Sequence, residues 1–469
     1  MKKENISSAL GKINDNYIEE ACQYEAPVKY VSTAARRWIA LAACIAVIAV
    51  ILPIGSVVSR GFWSLFGGGT TEPGAVTDPP AMHTHAFGKW VLIENATADK
   101  EGLEERSCEC GEKEINRFVL GSQGLEYKFI SDETNEIAIT GIGTCLDTDL
   151  IIPTYINGYR VITIGEEAFK GLLNLSSVSL PYGIINVERM AFFECGNLKS
   201  LILPNGIEEI GQKAFALCKS LDSPTLPESL RTIGSYAFSS CQHLYEVRIP
   251  KNVEELGEGV FSYCSALQNV IIESSVSAIP EDMFYGCNHL KSVSIPEGVL
   301  SLGTSAFARC SSLKSIELPL SLQSIGKATF EWCSSLENIV LHSGITTIGE
   351  CAFMGCNAFT KITIPANIAS IGDSAFLECI ELENVIVEEG TTSLAPHIFK
   401  YCKKLSSITI PSTLKEIPSG MLSYCTYFKE IIFNGTMAEW KALAKNEPWD
   451  HGTASYVIHC SDGSLNKGE

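Results

Sequence analysis

The chain has 469 residues, enough for two or three ordinary domains or for one long repeat array. Its formal net charge of -19 excludes a nucleic-acid surface, because phosphate binding needs clustered lysine and arginine. Eighteen cysteines would suit a small disulfide scaffold, but most of them recur at one fixed interval, which marks a repeat rather than a staple.

Residues 1–35 read as a cytoplasmic segment. Ile6, Leu10, Ile13 and Tyr17 fall at helical spacing, with Asp15, Glu19 and Glu20 on the polar side, and predict a short amphipathic helix. Residues 36–59 follow as a transmembrane helix: Trp38 to Val58 is uncharged for 21 residues, which span about 30 Å when helical, the thickness of a bilayer core. Lys2, Lys3, Lys12, Lys29, Arg36 and Arg37 precede this run, while only Arg60 and Lys89 follow it closely. That bias keeps the N-terminus cytoplasmic and places everything after Arg60 outside the cell. The rival reading is a cleaved signal peptide, whose apolar core is shorter and lies nearer the start of a chain. Residues 60–82, with Gly67-Gly68-Gly69 and Pro79-Pro80, form a linker too poor in apolar residues to bury a core.

Residues 83–115 read as a small His/Cys hairpin module. His83, His85, Trp90, Cys108 and Cys110 are separated by alternating apolar residues, a hairpin pattern. The stretch resembles a small module found beside repeats on bacterial surface proteins, except that Ala98 stands where that module has a cysteine. His83, His85, Cys108 and Cys110 are the conceivable zinc ligands, but the Cys-x-Cys spacing is tighter than that of structural zinc sites. No cofactor is expected, and the alternative is a cysteine pair that is simply buried or reduced.

From residue 161 to residue 436 one 23-residue pattern recurs twelve times without insertion. Eleven cysteines, from Cys195 and Cys218 through Cys402 to Cys425, stand 23 residues apart, with Leu172 in the first unit's slot, and a phenylalanine stands three residues before that slot from Phe169 through Phe399, with Leu422 in the twelfth unit. Within one unit the order is Ile325, Gly326, Phe330, Cys333, Leu336, Ile339, Leu341. The alternation at its end predicts a short strand with one apolar face, closed by a proline such as Pro250, Pro319 or Pro365 that has no amide donor. Glycines after the inward aliphatic residue, at Gly211, Gly234, Gly303, Gly326, Gly349 and Gly372, are expected at corners that need φ above zero. Stacked units align these residues into core columns, and at about 4.8 Å per strand twelve of them reach about 55 Å. The cysteine column is expected to be a buried row of reduced, inert thiols.

The Ile-Gly, Ala-Phe, Cys and strand-Pro positions resemble the BspA-like leucine-rich-repeat family of bacterial surface proteins, over about residues 125–465. The fold class expected is an α/β-type repeat solenoid of short parallel strands, carried on a single N-terminal transmembrane helix. Residues 116–160, with Thr140 to Cys145, Asp147 and Asp149, look like the family's N-terminal cap, and residues 437–469, with Trp440 and His459 to Gly463, like its C-terminal cap. Asp147 and Asp149 are expected to hydrogen-bond within the cap turn.

No acid, base or nucleophile interrupts the repeat, and no phosphate loop, dinucleotide fingerprint or nucleophile elbow is present, so no enzyme activity is expected. His243 and His289 share a repeat position but lie two units, about 10 Å, apart, too far to share a metal. Outward strand positions include Glu246, Asn269, Asn338 and Lys361, with Arg248 and Glu317 in the neighbouring column; the face reads as small, polar and nearly uncharged. Trp332, Tyr401 and Tyr424, each just before a cysteine, are the aromatic candidates for partner contact. The expectation is a surface protein of the cell membrane that binds an extracellular protein or glycan; the resemblance implies attachment to host matrix proteins, mucosal surfaces or other microbes. A sensor acting through the cytoplasmic helix, or a structural surface component, are the other readings.

Overall fold

A 23-residue unit is too short to enclose a core, so its apolar residues are satisfied only by the units on either side. The structure, a computed structural model, describes residues 86–98, 100–131 and 134–469. The cytoplasmic helix, the membrane segment, the linker, His83 and His85 lie outside these residues. Among the described residues no helix is long and apolar enough to cross a membrane.

Each unit is one coil carrying two strands. The longer strand follows the expected alternation: in Glu246–Ile249 the side chains run exposed, buried, exposed, buried, and Glu246, Asn269 and Ser292 pair in parallel at successive coils. The second strand has two residues, as in Asn186–Val187 beside Glu209–Ile210, too few for alternation to be visible in sequence. The rest of the coil is turn. The expected α/β class is therefore corrected: the one α-helix described for the solenoid is α1 (Met437–Ala442), in the C-terminal cap.

Two residues per coil explain the missing helices. Met190 and Glu194 have φ of 55° and 62°, and the same two positions are left-handed from Glu167 and Gly171 through Gly420 and Tyr424. A left-handed residue every few positions interrupts any right-handed helix. The conformation also aims alternate amides along the stack: the N–H groups of Met190, Phe192 and Glu194 donate to the carbonyls of Gln212, Ala214 and Ala216 in the next coil, at 2.8–2.9 Å. Turn backbone that is buried between coils thus has its donors satisfied.

The side chains of this turn make the core. Phe169 through Phe399 stack ring on ring, with centroids 5.1–6.0 Å apart and planes within 24° of parallel. Every one is at most 1% exposed. Beside them each cysteine from Cys195 to Cys425 donates its thiol to the carbonyl of the phenylalanine 26 residues earlier, at 3.1–3.3 Å. The column is thus more than a row of small apolar groups, since the thiol is a weak donor that ties adjacent coils.

The corner glycines have another cause than the one expected. None of Gly211, Gly234, Gly303, Gly326, Gly349 and Gly372 is among the residues of positive φ. A Cβ there would instead strike the backbone of the preceding coil, at 2.5 Å from Gly326 and Lys327 for Gly349 and 2.2 Å from Glu350 for Gly372. The close approach lets the corner amide donate to the strand before it, as Gly349 does to Ile325 O at 2.8 Å. Pro280 and Pro418 occupy the same corner without an N–H, and the two-residue ladder is interrupted at both. It is interrupted again at Ala395, whereas Glu188 keeps its amide bond to Ile164 O at 2.8 Å. Pro224 interrupts the longer ladder in the same way, between Ser200–Ile202 and Glu246–Ile249.

Both ends are closed. At the N-terminal end β4 (Glu126–Phe129) pairs antiparallel with β5 (Glu136–Gly141), which runs parallel to β8 (Tyr159–Ile164), itself in a hairpin with β7 (Tyr155–Ile156). Asp149, in β6 (Asp149–Ile151), accepts from Ser176 and Ser177 Oγ at 2.7 and 2.6 Å, the cap role expected of it. At the C-terminal end Trp440 of α1 is buried against Phe433 and Trp449, and the hairpin of Val457–Cys460 with Gly463–Asn466 extends the longer ladder.

The small module is a three-stranded antiparallel sheet, β1 (Val91–Glu94), β2 (Gly102–Ser107) and β3 (Lys113–Phe118), one strand more than the hairpin expected. It is fixed to the cap by a buried carboxylate. Glu104 of β2 is 0% exposed; its Oε2 accepts from Tyr155 Oη at 2.7 Å and its Oε1 from Asn116 Nδ2 at 2.8 Å, with Arg160 Nη2 at 3.4 Å. Trp90 packs edge-on to Tyr182 at 5.9 Å, and Arg106 lies over the Trp90 ring at 4.7 Å.

Two substitutions test these contacts. Gly349→Ala is expected to lower stability by about 1–3 kcal/mol, the usual effect of an added methyl with nowhere to go, read from the urea midpoint. Glu104→Ala strands Arg160 without its anion and is expected to lower stability by about 3 kcal/mol. Limited proteolysis should then cut between residues 87 and 118 before the repeats; unchanged cleavage order would show that the latch does not hold the sheet.

Candidate binding surfaces

The longer strands build one continuous candidate face. Outward positions of the first column, Glu246, Asn269, Ser315, Asn338 and Lys361, are exposed and in register as expected. Several are engaged with neighbours: Asn269 Oδ1 accepts from Ser292 Oγ at 3.0 Å, and Glu246 Oε1 accepts from Tyr245 Oη at 3.2 Å.

The second outward column differs from the polar face expected. Ile202, Ile271, Val340, Ile386 and Ile432 stand there 58%, 49%, 75%, 48% and 40% exposed, and Ile151 of the cap begins the row. Period-2 alternation already points these residues outward, so the signal was in the sequence and was obscured by the serines and threonines between them. Glu317 lies exposed in this column. Arg248, in the same column, is committed inside the molecule: Nε and Nη2 donate to both Glu273 oxygens at 2.8 and 2.5 Å, and Nη1 to Glu228 Oε1 at 2.8 Å. The hydrogen bonds from Glu228 and Glu273 hold its pKa above the ordinary arginine value. An arginine already forked between two carboxylates has few donors left for a partner.

The aromatic candidates occupy the second left-handed position of the turn, Trp332 at φ 57°, Tyr401 at 62° and Tyr424 at 64°. Trp332 is half-buried and lies across the next coil, where a Cβ on Gly355 would come within 2.5 Å of its ring. It packs on a glycine rather than projecting. Tyr401 and Tyr424 stack on each other at 4.7 Å and 11°, with one edge of the pair open to solvent at Tyr424.

The cysteine column is the largest set of nucleophilic atoms in the chain, and burial disables it. Desolvation pushes the Cys195 thiol up to about 11 and those of Cys264 and Cys333 up to about 12, and raises Cys218, Cys241, Cys287 and Cys310 well above the ordinary value. Such thiols carry no thiolate at neutral pH. Of the conceivable zinc ligands the structure places Cys108, buried, and Cys110, exposed. Among the described residues no three His, Cys, Asp or Glu side chains converge as a metal set would.

Residues 148–268, 254–366 and 346–444, together more than half of the chain, match the family model for the BspA type leucine rich repeat region, in six copies. The chain belongs to the BspA-type leucine-rich repeat family. It is similar to the solved structure of a leucine-rich repeat protein from Bacteroides ovatus, 22% identical over 73% of this chain and 99% of that one, with a TM-score of 0.46. A leucine rich cell surface protein from Faecalibacterium prausnitzii is 25% identical over 70% of this chain and 98% of its own, with a TM-score of 0.45. A leucine rich repeat protein of Treponema pallidum is 33% identical over 41% of this chain and 88% of its own, with a TM-score of 0.39. No curated protein matches the chain. In this BspA-type chain the repeat glycine, phenylalanine and cysteine all face the neighbouring coil, which leaves the outward strand residues and the turn ridge as the surfaces free to vary.

The raised thiols make a prediction with a definite sign. A thiol that titrates near 9 when unfolded and near 12 in the fold stabilises the native state fully below pH 9, and that contribution falls as pH rises toward 12. The urea midpoint is expected to decline above pH 9, less so in Cys264→Ala, Cys333→Ala. Iodoacetamide at pH 8 should leave Cys241 and Cys287 unmodified in the folded chain and alkylate them in guanidinium, read by peptide mass spectrometry.

Proposed function

We propose that this chain is a non-enzymatic recognition protein of the cell surface, held by residues 38–58 in the membrane with its repeats outside, and that its strand face binds an extracellular protein. The observation that carries the reading is the exposed aliphatic row from Ile151 through Ile202, Ile271, Val340 and Ile386 to Ile432. These aliphatic side chains recur every second or third coil with polar residues between them, so the column offers a partner spaced apolar contacts and hydrogen-bonding groups together, the mixture found in non-obligate interfaces. Membership of the BspA-type repeat family supports the reading as a repeat protein without catalytic machinery. Buried thiols and histidines scattered over separate coils support binding over catalysis.

The full chain in detergent micelles is to be screened against extracellular matrix proteins, mucins and neutral glycans, beside an Ile271→Ser, Val340→Ser variant. Both side chains are exposed, so the fold should survive. Saturable binding to a protein, weakened tenfold or more in the variant, is expected. Binding that ignores the variant would remove the strand face from the proposal.

A further inference from the structure

The turn ridge changes character at its C-terminal end. Tyr401 and Tyr424 form their stacked pair there, and His451 of the cap meets Tyr424 edge-on at 5.3 Å and 86°, so the aromatic row continues over the end of the repeats. Lys400 Nζ lies 5.4 Å above the Tyr401 ring. Beside the row are Lys403, exposed, and Tyr427, 67% exposed, which are neighbours on adjacent coils because the Tyr427 amide donates to Lys403 O at 3.1 Å. Lys404 is committed to Glu381 at 2.5 Å. Among the described residues neither Lys400 nor Lys403 has a carboxylate within ion-pair distance.

From this juxtaposition we infer that the ridge formed by Lys400, Tyr401, Lys403, Tyr424, Tyr427 and His451 is a binding site for an anionic polysaccharide. Two parts of the chemistry point the same way. An exposed tyrosine offers a flat apolar face on which the C–H groups of a sugar ring can lie, while its hydroxyl stays wet. Two unpaired ammonium groups beside it supply charge for a carboxylate or sulfate on that sugar. The rest of the molecule sharpens the choice, because a chain of net charge -19 repels an anionic polymer elsewhere. A cationic partner would favour the glutamates around Glu254, Glu255 and Glu258 instead, and a neutral glycan would leave the lysines unused. The site therefore selects one ligand class and holds it at the C-terminal end of the solenoid, on the turn ridge rather than on the outward strand positions.

This inference rests on the reading of the chain as a recognition protein and narrows it to a second ligand. Its test is a titration of the full chain in detergent micelles with a chondroitin sulfate oligosaccharide, its desulfated counterpart that keeps the uronate carboxylates, an uncharged dextran oligomer, and a single-stranded oligonucleotide of equal charge. Saturable binding to either charged glycan and none to dextran is expected; the desulfated arm tells which anion is read. Tyr427→Ala and Lys403→Ser should each weaken it, Tyr427→Ala about tenfold, and Lys403→Arg should restore it. Both positions are exposed, and the urea midpoint confirms folding. Ile271→Ser, Val340→Ser should leave glycan binding intact. No binding to either charged glycan, equal binding to dextran, tighter binding to the oligonucleotide, or indifference to Tyr427→Ala would each overturn the inference. If the charged glycans fail while the protein ligand is still bound through the strand face, only this inference falls.

Discussion

A coil of 23 residues has no inside of its own, and the contacts that build the repeat core therefore cross from one coil to the next. Phenylalanine meets phenylalanine, the cysteine thiol meets the carbonyl of the previous phenylalanine, and alternate turn amides meet carbonyls one coil on. Hydrophobic burial and hydrogen bonding act along the same direction. That common direction fixes the spacing of the coils, and the spacing decides which residue types each position tolerates. Glycine at the corner, a small thiol in the core and a flat aromatic ring beside it are three answers to one requirement of close approach.

The same requirement explains how much could be read in advance. Period, core columns, strand polarity and caps were legible, because a 23-residue repetition of Phe, Cys and Ile is visible without any knowledge of conformation. Conformation within the turn was not. The left-handed positions carry Glu194, Leu217, Tyr263 and Trp332 as well as glycine, so no residue type announces them. The second strand was too short to show a period, and the corner glycines were assigned a positive φ when their cause was steric contact with a neighbour that a single sequence does not display.

Candidate binding residues divide along a similar line. Exposure of Glu246, Asn269, Asn338 and Lys361 followed from strand alternation alone. The engagement of Arg248 by Glu228 and Glu273 did not, since those residues lie 20 and 25 positions away and are brought together only by stacking. Trp332 looked like an anchor because tryptophan so often is one; its partner turned out to be Gly355, one coil on. In a solenoid the first claimant on any long side chain is the next coil, which is why Tyr424 is met by His451 of the cap, while Tyr427 stays 67% exposed.

The corner position also decides how neighbouring coils are joined. Where it is glycine, an amide bridges two coils; where it is Pro280 or Pro418 that bridge is missing, and at Pro280 the coils are held by the longer strands, the phenylalanine stack and turn amides such as Gly259 N–H to Glu281 O at 2.9 Å. The pattern of glycine and proline along one column therefore sets how many backbone hydrogen bonds join each successive pair of coils. Because an added Cβ at this corner meets the backbone of the neighbouring coil, a substitution there changes the bonding across one joint and the stability of the array together.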